Sequence, residues 1–388
     1  MKRIALLISL VAHPMAMANR VDKHTYSTGI QVNALGWNFN HDFYALPREG
    51  DVWGGSRGEI KGAPWRGDYW QTSEWEIARR LNVTKATMPT QEELAKYSEQ
   101  QLRNLSPAEK YDIVRNDFNY TLTKSVLVKF DKTLEKYGQV SKIPTWEGIC
   151  HGWANAALHF PTEPKPLRYK GKFSKEIPFG SHDVKALLSW FQGEWGNTVG
   201  DKDRLDTRRS IGKTCPYKKT DPNFFGNFDC QDIKPQVFHL LLANKIGLRK
   251  QGFVADLFYD DEVWNFPVFK YETTILKHEN AIDLKKDFHS ETVKAIKVRT
   301  KVYYATEISP NWEALGTRYT GNIKTKFYTY TLALDARGNI VDGKWDRFSE
   351  QPDTLWVYEK FNFINPKSPD KEILSSELQK IYQQSIEQ

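Results

Sequence analysis

Past its first eighteen residues the chain has no apolar run near the ~20 residues that a membrane-spanning helix needs. Stable membrane insertion is therefore not expected. The one short run it has, Ile4 to Val11, follows Lys2 and Arg3 and closes on Ala16-Met17-Ala18, the small-x-small pattern of a signal-peptide cleavage site. A secreted or periplasmic protein, cleaved after Ala18, is expected. A strong charge of one sign is also missing. The formal net charge is +7, and it falls to +5 once Lys2 and Arg3 are removed. Acids and bases alternate from end to end instead of gathering on one stripe, so nucleic acid is not an expected partner. A general attraction to acidic surfaces such as an envelope or cell wall stays open. Internal repeats and low-complexity segments are lacking, acidic residues do not fall at calcium-loop spacing, and the cysteines lie too far apart for a zinc pattern. Neither metal nor cofactor is expected.

Sulfur is scarce as well, with three cysteines and four methionines in 388 residues. Three cysteines in an exported chain leave one thiol over after a pair has formed. Cys215 and Cys230 are the natural pair, because they bracket the polar loop PYKKTDPNFFGNFD, whose freedom in the unfolded chain a disulfide would limit. Cys150 then stays reduced. An unpaired thiol in an oxidising compartment is at risk of oxidation, so its presence hints at use.

What the sequence does have is material for a large core: 40% hydrophobic and 13% aromatic residues. Residues 1–18 read as a signal peptide, and 19–72 as a loop-rich segment heavy in Trp and Gly. Residues 73–366 read as one catalytic domain, helical to about 250 and β-rich after, and 367–388 as a polar stretch ending in a docked helix. Helical patterns run through TQEELAKYSEQQLRNL, SPAEKYDIVRNDF and SHDVKALLSWFQ, with Ser106, Pro107 and Glu109 forming a capping box and Ser181 or His182 standing at a helix start. GFVADLFYD, AIKVRTKVYYATEI and KFYTYTLALDARGNIVDGKW are strand-like, and Arg337-Gly338-Asn339 marks a turn. The fold class is α+β, with a helical N-terminal half and a β-rich C-terminal half.

TWEGICHGWANAAL, residues 145–158, places Cys150 where an alanine-rich helix starts. There the unpaired backbone N–H groups favour thiolate and supply donors to an oxyanion. Gly148 and Gly152 allow tight turns and close approach of a substrate backbone. A cysteine opening a helix, with its histidine and carboxylate arriving much later in the chain, is the arrangement of papain-like enzymes. Of the histidines left after cleavage, His24 and His41 lie upstream of the cysteine. His151 adjoins it and His159 ends its helix, His182 can be a cap, and His278 and His289 sit in charged loops. His239, early in the helix that Pro235 starts, is the remaining candidate base, and it is equally a candidate core histidine.

The segment EVWNFPVFKYE, residues 262–272, resembles a surface peptide of the secreted transglutaminase elicitors of oomycetes and their bacterial relatives, a peptide that plants perceive. Val263, Trp264, Asn265, Pro267, Val268, Phe269, Lys270, Tyr271 and Glu272 recur in order; Phe266 replaces a glutamine, and an Arg-Gly pair and one valine are absent. PWRGDYW, SPAEKY, GICHGWA, SHDVKALL, CQDIKPQVFH, GFVADLF, LALDARGNIVDGKW and QPDTLW agree, so the likeness runs from about Pro64 to Trp356. The resemblance implies a fold that is papain-like only around the active site, a catalytic cysteine at Cys150, and activity without calcium. It implies protein substrates bearing glutamine and lysine: the thiolate attacks a glutamine carboxamide, ammonia leaves, and a lysine amine resolves the thioester. His239 would carry the protons. Asp256, in the strand after it, would orient the imidazole, with Asp232 as the alternative. Trp153, Trp264 and Asn265 are candidate walls of a substrate tunnel, although a core position is ordinary for either tryptophan.

The same thiol and histidine would serve a cysteine protease, an amidase or a protein-glutamine deamidase, because the choice rests on exclusion of water. A secreted recognition protein with a structural cysteine is the non-enzymatic reading.

Overall fold

The structure is a computed structural model that describes residues 39–46, 56–195, 209–212, 233–280, 288–316, 323–357 and 369–387. The first helical pattern becomes two helices, α1 (Gln91–Lys96) and α2 (Glu99–Asn104). Ser98 divides them: its hydroxyl accepts from the Gln101 N–H, and the Gln101 side chain accepts from the Ser98 N–H, a capping box that starts a new helix. Ser106 and Glu109 start α3 (Pro107–Val114) in the expected way. Helix α4 (Thr121–Tyr137) was not among the expected helices. Tyr120 precedes it in the left-handed region with no side-chain cap, and the cap is supplied from α3, where the Asp112 carboxylate accepts from the N–H groups of Leu122 and Thr123. Buried Leu122, Val126, Leu127 and Phe130 form its inner stripe.

Two helices then cross at close range, α5 (Cys150–His159) and α6 (Ser181–Trp190). At Gly152 the backbones nearly touch, since a Cβ there would run into the Ser189 main-chain oxygen. Helix α6 is capped one residue earlier than expected, where the Gly180 N–H donates to the Asp183 carboxylate at 2.6 Å. Asp183 also forms a wholly buried ion pair with Lys110 of α3 at 2.7 Å. Helix α7 (Pro235–Leu241) continues in wide turns through Leu242–Leu248. The C-terminal helix α8 (Pro369–Ile386) buries Leu378, Ile381 and Tyr382, the last with its ring against Phe160.

The sheet side of the molecule is antiparallel throughout. Short strands come first: β1 (Arg57–Glu59), the hairpin β2 (Leu167–Tyr169) and β3 (Ile177–Phe179), and β4 (Arg209–Gly212). Then follow β5 (Phe253–Asp256), β6 (Asn265–Asn280), β7 (Lys294–Ala305), β8 (Ile323–Leu334), β9 (Ile340–Trp345) and β10 (Thr354–Val357). The large sheet runs β4-β10-β5-β6-β7-β8-β9, with β1 added beside β6. The β8–β9 hairpin turns at Gly338, whose φ of 89° needs glycine.

The 16-residue β6 is the centre of this sheet, and the peptide-like segment EVWNFPVFKYE is its beginning. Phe266, Val268, Phe269 and Tyr271 are buried. Helix α5 lies against the start of β6, and β5 pairs with that same stretch, so that Asp256 stands opposite Asn265. One hydrophobic cluster joins the helices and the inner face of the sheet. The α+β class is as expected, with most of the sheet after residue 250.

Candidate active site

Cys150 is the first residue of α5, and its main chain is locked from the N-terminal side. The Ile149 N–H donates to the Tyr69 carbonyl at 2.7 Å, and Gly148 forms an isolated bridge with Gln71. A Cβ on Gly148 would stand 2.7 Å from that Tyr69 oxygen, so the close approach permitted by Gly148, like that at Gly152, serves the chain's own backbone. Trp153, Ala154, Ala156 and Ala157 bury the rest of the helix. These contacts hold the sulfur against the mouth of β6.

The sulfur has two neighbours there. The Asn265 side-chain amide donates to Sγ at 3.4 Å, joined by the Asn265 main-chain N–H, and the thiol itself donates to the Val263 carbonyl at 3.7 Å. Asn265 is buried, and its Oδ1 has no hydrogen-bond partner. Trp264 lies between them in sequence, with its ring edge-to-face with Tyr69 at 5.2 Å and its Nε1 donating to Glu262. Cys150 is 3% exposed beneath this cover. Burial pushes the thiol up to about 11; the Asn265 donors oppose that rise, and the charges of Glu307 and Asp256 add to it.

Asp256 is buried at the end of β5 and bridges the segment that covers the sulfur. Its carboxylate accepts from the Phe258 N–H at 3.2 Å and from the Trp264 N–H at 3.1 Å, closing both ends of residues 257–264. Burial raises its pKa well above the usual carboxylate range. Asp256 thus bears on Cys150 through the position of Trp264 and Asn265.

The structure does not bring His239 to Cys150. His239 is fully buried on α7, with Nδ1 at 2.8 Å from the Tyr330 hydroxyl and its ring stacked on Phe43. Tyr330 bonds in turn to Thr300, and Thr300 to Thr273. Thr273 stands eight residues along β6 from Asn265, roughly 26 Å at about 3.3 Å per residue. Burial lowers the His239 pKa to about 3, which keeps the ring neutral, and Nε2 has no partner. This histidine ties α7 to the sheet. The physical reason is topology: α7 packs on β8 and β9, two and three strands along the sheet from the β6 start that meets Cys150. Of the other described histidines, His159 bonds to Gln192 and His182 to the Asn311 carbonyl, while His151 faces Glu194 at 3.9 Å.

Trp153 is wholly buried, with its ring packed where Gly67 leaves room. Trp264 and Asn265 do lie at the sulfur. Cys215, Cys230 and Asp232 fall outside the described residues. Sequence reasoning passed over Tyr69 and Glu307; the only signal for Glu307 is an acidic residue immediately after the strand-like YYAT.

The transglutaminase elicitor family model matches residues 39–366 of the chain. The chain is similar in structure to the GP42 transglutaminase from Phytophthora sojae, known from its crystal structure. The two share 21% identity with a TM-score of 0.61, over 92% of this chain and 96% of that one. That likeness is one of fold. Comparison with curated proteins gave no match.

Proposed function

Because the chain belongs to the transglutaminase elicitor family, we propose that it is a thiol acyltransferase joining glutamine and lysine side chains of proteins. The Cys150 sulfur attacks the glutamine carboxamide carbon, the C–N bond breaks and ammonia leaves, and a lysine amine displaces the sulfur to form an isopeptide bond.

The observation that supports this best is the seat of the sulfur. It sits at a helix start, takes two N–H donors from Asn265, and lies against residues 263–265, where the Trp264 ring packs on Tyr69. Donors so placed favour a thiolate and can hold the oxyanion of a tetrahedral intermediate. An aromatic cover that keeps water from a thioester favours amine over water as the second nucleophile. In the closed arrangement the thiol is neutral, so substrate entry requires residues 257–264 to move. Residues 1–18 act as an export signal in this reading, and the exported chain starts at Asn19.

The test is incorporation of a fluorescent primary amine into a glutamine-rich protein, with calcium and with chelator. The wild type labels the protein, and Cys150→Ser does not. Ammonia release without incorporation would make the chain an amidase or deamidase. Absence of both would leave a recognition protein.

A further inference from the structure

A cleft of about 750 Å³ has walls that include Asp68, Tyr69, Arg79, His182, Glu307 and Ile308. Tyr69 links it to the start of the Cys150 helix. Tyr69, on the cleft, accepts the hydrogen bond from Ile149 and packs its ring on Trp264. Most polar groups of the cleft are already paired: Arg79 bonds both Asp68 and Glu74, and His182 bonds the Asn311 carbonyl.

Two lining residues carry an unpaired buried polar atom, Trp70 at its Nε1 donor and Glu307 at a carboxyl oxygen, and Glu307 is the acidic one. Its Oε1 is buried and has no hydrogen-bond partner. Arg66 reaches the same turn, but its guanidinium donates to the main-chain oxygens of Thr306 and Glu307 and to the Thr306 hydroxyl, leaving the carboxyl to the cleft. The turn itself is fixed by the Ile308 N–H donating to the Gly67 carbonyl at 2.9 Å. The carboxyl accepts from its own main-chain N–H, which leaves Oε1 unsatisfied; a buried polar atom without a partner is costly, and a cation entering the cleft would relieve that cost.

We propose that Glu307 receives the acyl-acceptor amine, binding the lysine ammonium in this cleft and taking its proton so that the neutral nitrogen attacks the Cys150 thioester. The assignment rests on the reading of Cys150 as the acylated nucleophile. In the step, the ammonium N–H bond breaks and its proton passes to the Glu307 carboxylate. The nitrogen lone pair forms the new C–N bond, the C–S bond breaks with its electrons on sulfur, and the second nitrogen proton returns sulfur to the thiol. Glu307 then gives its proton to water. Burial raises the Glu307 carboxyl to about 7, which suits proton exchange at neutral pH, and its charge, when ionised, raises the Cys150 thiol.

The experiment measures how the acyl-enzyme partitions between amine and water, using a blocked glutaminyl-glycine dipeptide with a fluorescent alkylamine. The ratio is the same however much of a variant is folded. Glu307→Gln lowers incorporation relative to hydrolysis by about 10²-fold, within the range for a lost general base. Glu307→Asp recovers part of it. Hydroxylamine, largely neutral at pH 7, restores product formation in Glu307→Gln. An unchanged ratio, or hydroxylamine product lost in proportion to alkylamine product, would overturn the role. Wild type that forms no acyl-enzyme, or Cys150→Ser that still releases ammonia, would instead overturn the reading of Cys150, and this inference with it.

Discussion

Asn265 donates to the Cys150 sulfur from both its side chain and its main chain, and it does so because Asp256, its partner across the β5–β6 register, holds the residue before it. Asn265→Ala removes one donor and keeps the other. The expected result is a fall in kcat of about 10²-fold, the scale of a lost oxyanion donor, with a small change in melting temperature. Steady-state amine incorporation and thermal melts on the same preparation check this.

Trp264 stands between Val263 and Asn265, the two residues that bond the thiol, and in the proposed mechanism it is the cover. In the wild type iodoacetamide labels Cys150 slowly at pH 8, because the sulfur is buried and burial pushes its pKa up to about 11. Trp264→Ala speeds labelling by about tenfold or more, since the cover opens more often. Equal rates in the two proteins would show that the rings do not gate the sulfur.

Replacing Asp256 separates position from charge. Its two oxygens hold the N–H groups of Phe258 and Trp264, and Asn offers one acceptor oxygen, so Asp256→Asn costs about 1 kcal/mol for the lost bond at low pH. Its folded pKa is raised, so the wild type is at full advantage below the usual carboxylate range and loses stability as pH rises above it. The melting temperature of Asp256→Asn relative to wild type therefore improves from pH 4 to pH 8. A constant difference would mean that the carboxyl titrates normally.

His239 is bonded to Tyr330 and stacked on Phe43 instead of standing at the sulfur, and no catalytic duty is expected of it. His239→Gln lowers the melting temperature through the lost Tyr330 bond and leaves kcat near the wild-type value. The folded pKa is depressed to about 3, so the wild type also loses stability as pH falls below the ordinary histidine range near 6.5, whereas the variant does not. Loss of amine incorporation in well-folded His239→Gln would return the histidine to the site.

Cys215 and Cys230 are expected to form the disulfide of the exported chain. Non-reducing peptide mapping checks it, and a bridge from either one to Cys150 would remove the nucleophile.

Where the signals are local, the sequence was legible. Ser106, Pro107 and Glu109 start α3 because each acts within one turn, and the cysteine at the head of α5 was visible for the same reason. Helix α4 was hidden because its cap, Asp112, belongs to another helix. The companions of Cys150 were harder. Asn265 reaches the sulfur from 115 residues away, and Glu307 acts on it from the far end of β7. Only the pairing of β5, β6 and β7 makes them neighbours. His239 looked like a base because it is a histidine among apolar residues, and those same neighbours are what make it a core residue.

A thiol that is covered and neutral is also a preserved one. Peroxides and foreign disulfides are attacked by thiolate, and the closed segment over Cys150 supplies little of it. In the proposed reaction the sulfur can therefore persist in an oxidising medium with its reactivity in reserve, exposed only for as long as a substrate side chain holds residues 257–264 aside. On that reading the cover sets the working life of the protein as well as the partitioning of its acyl group.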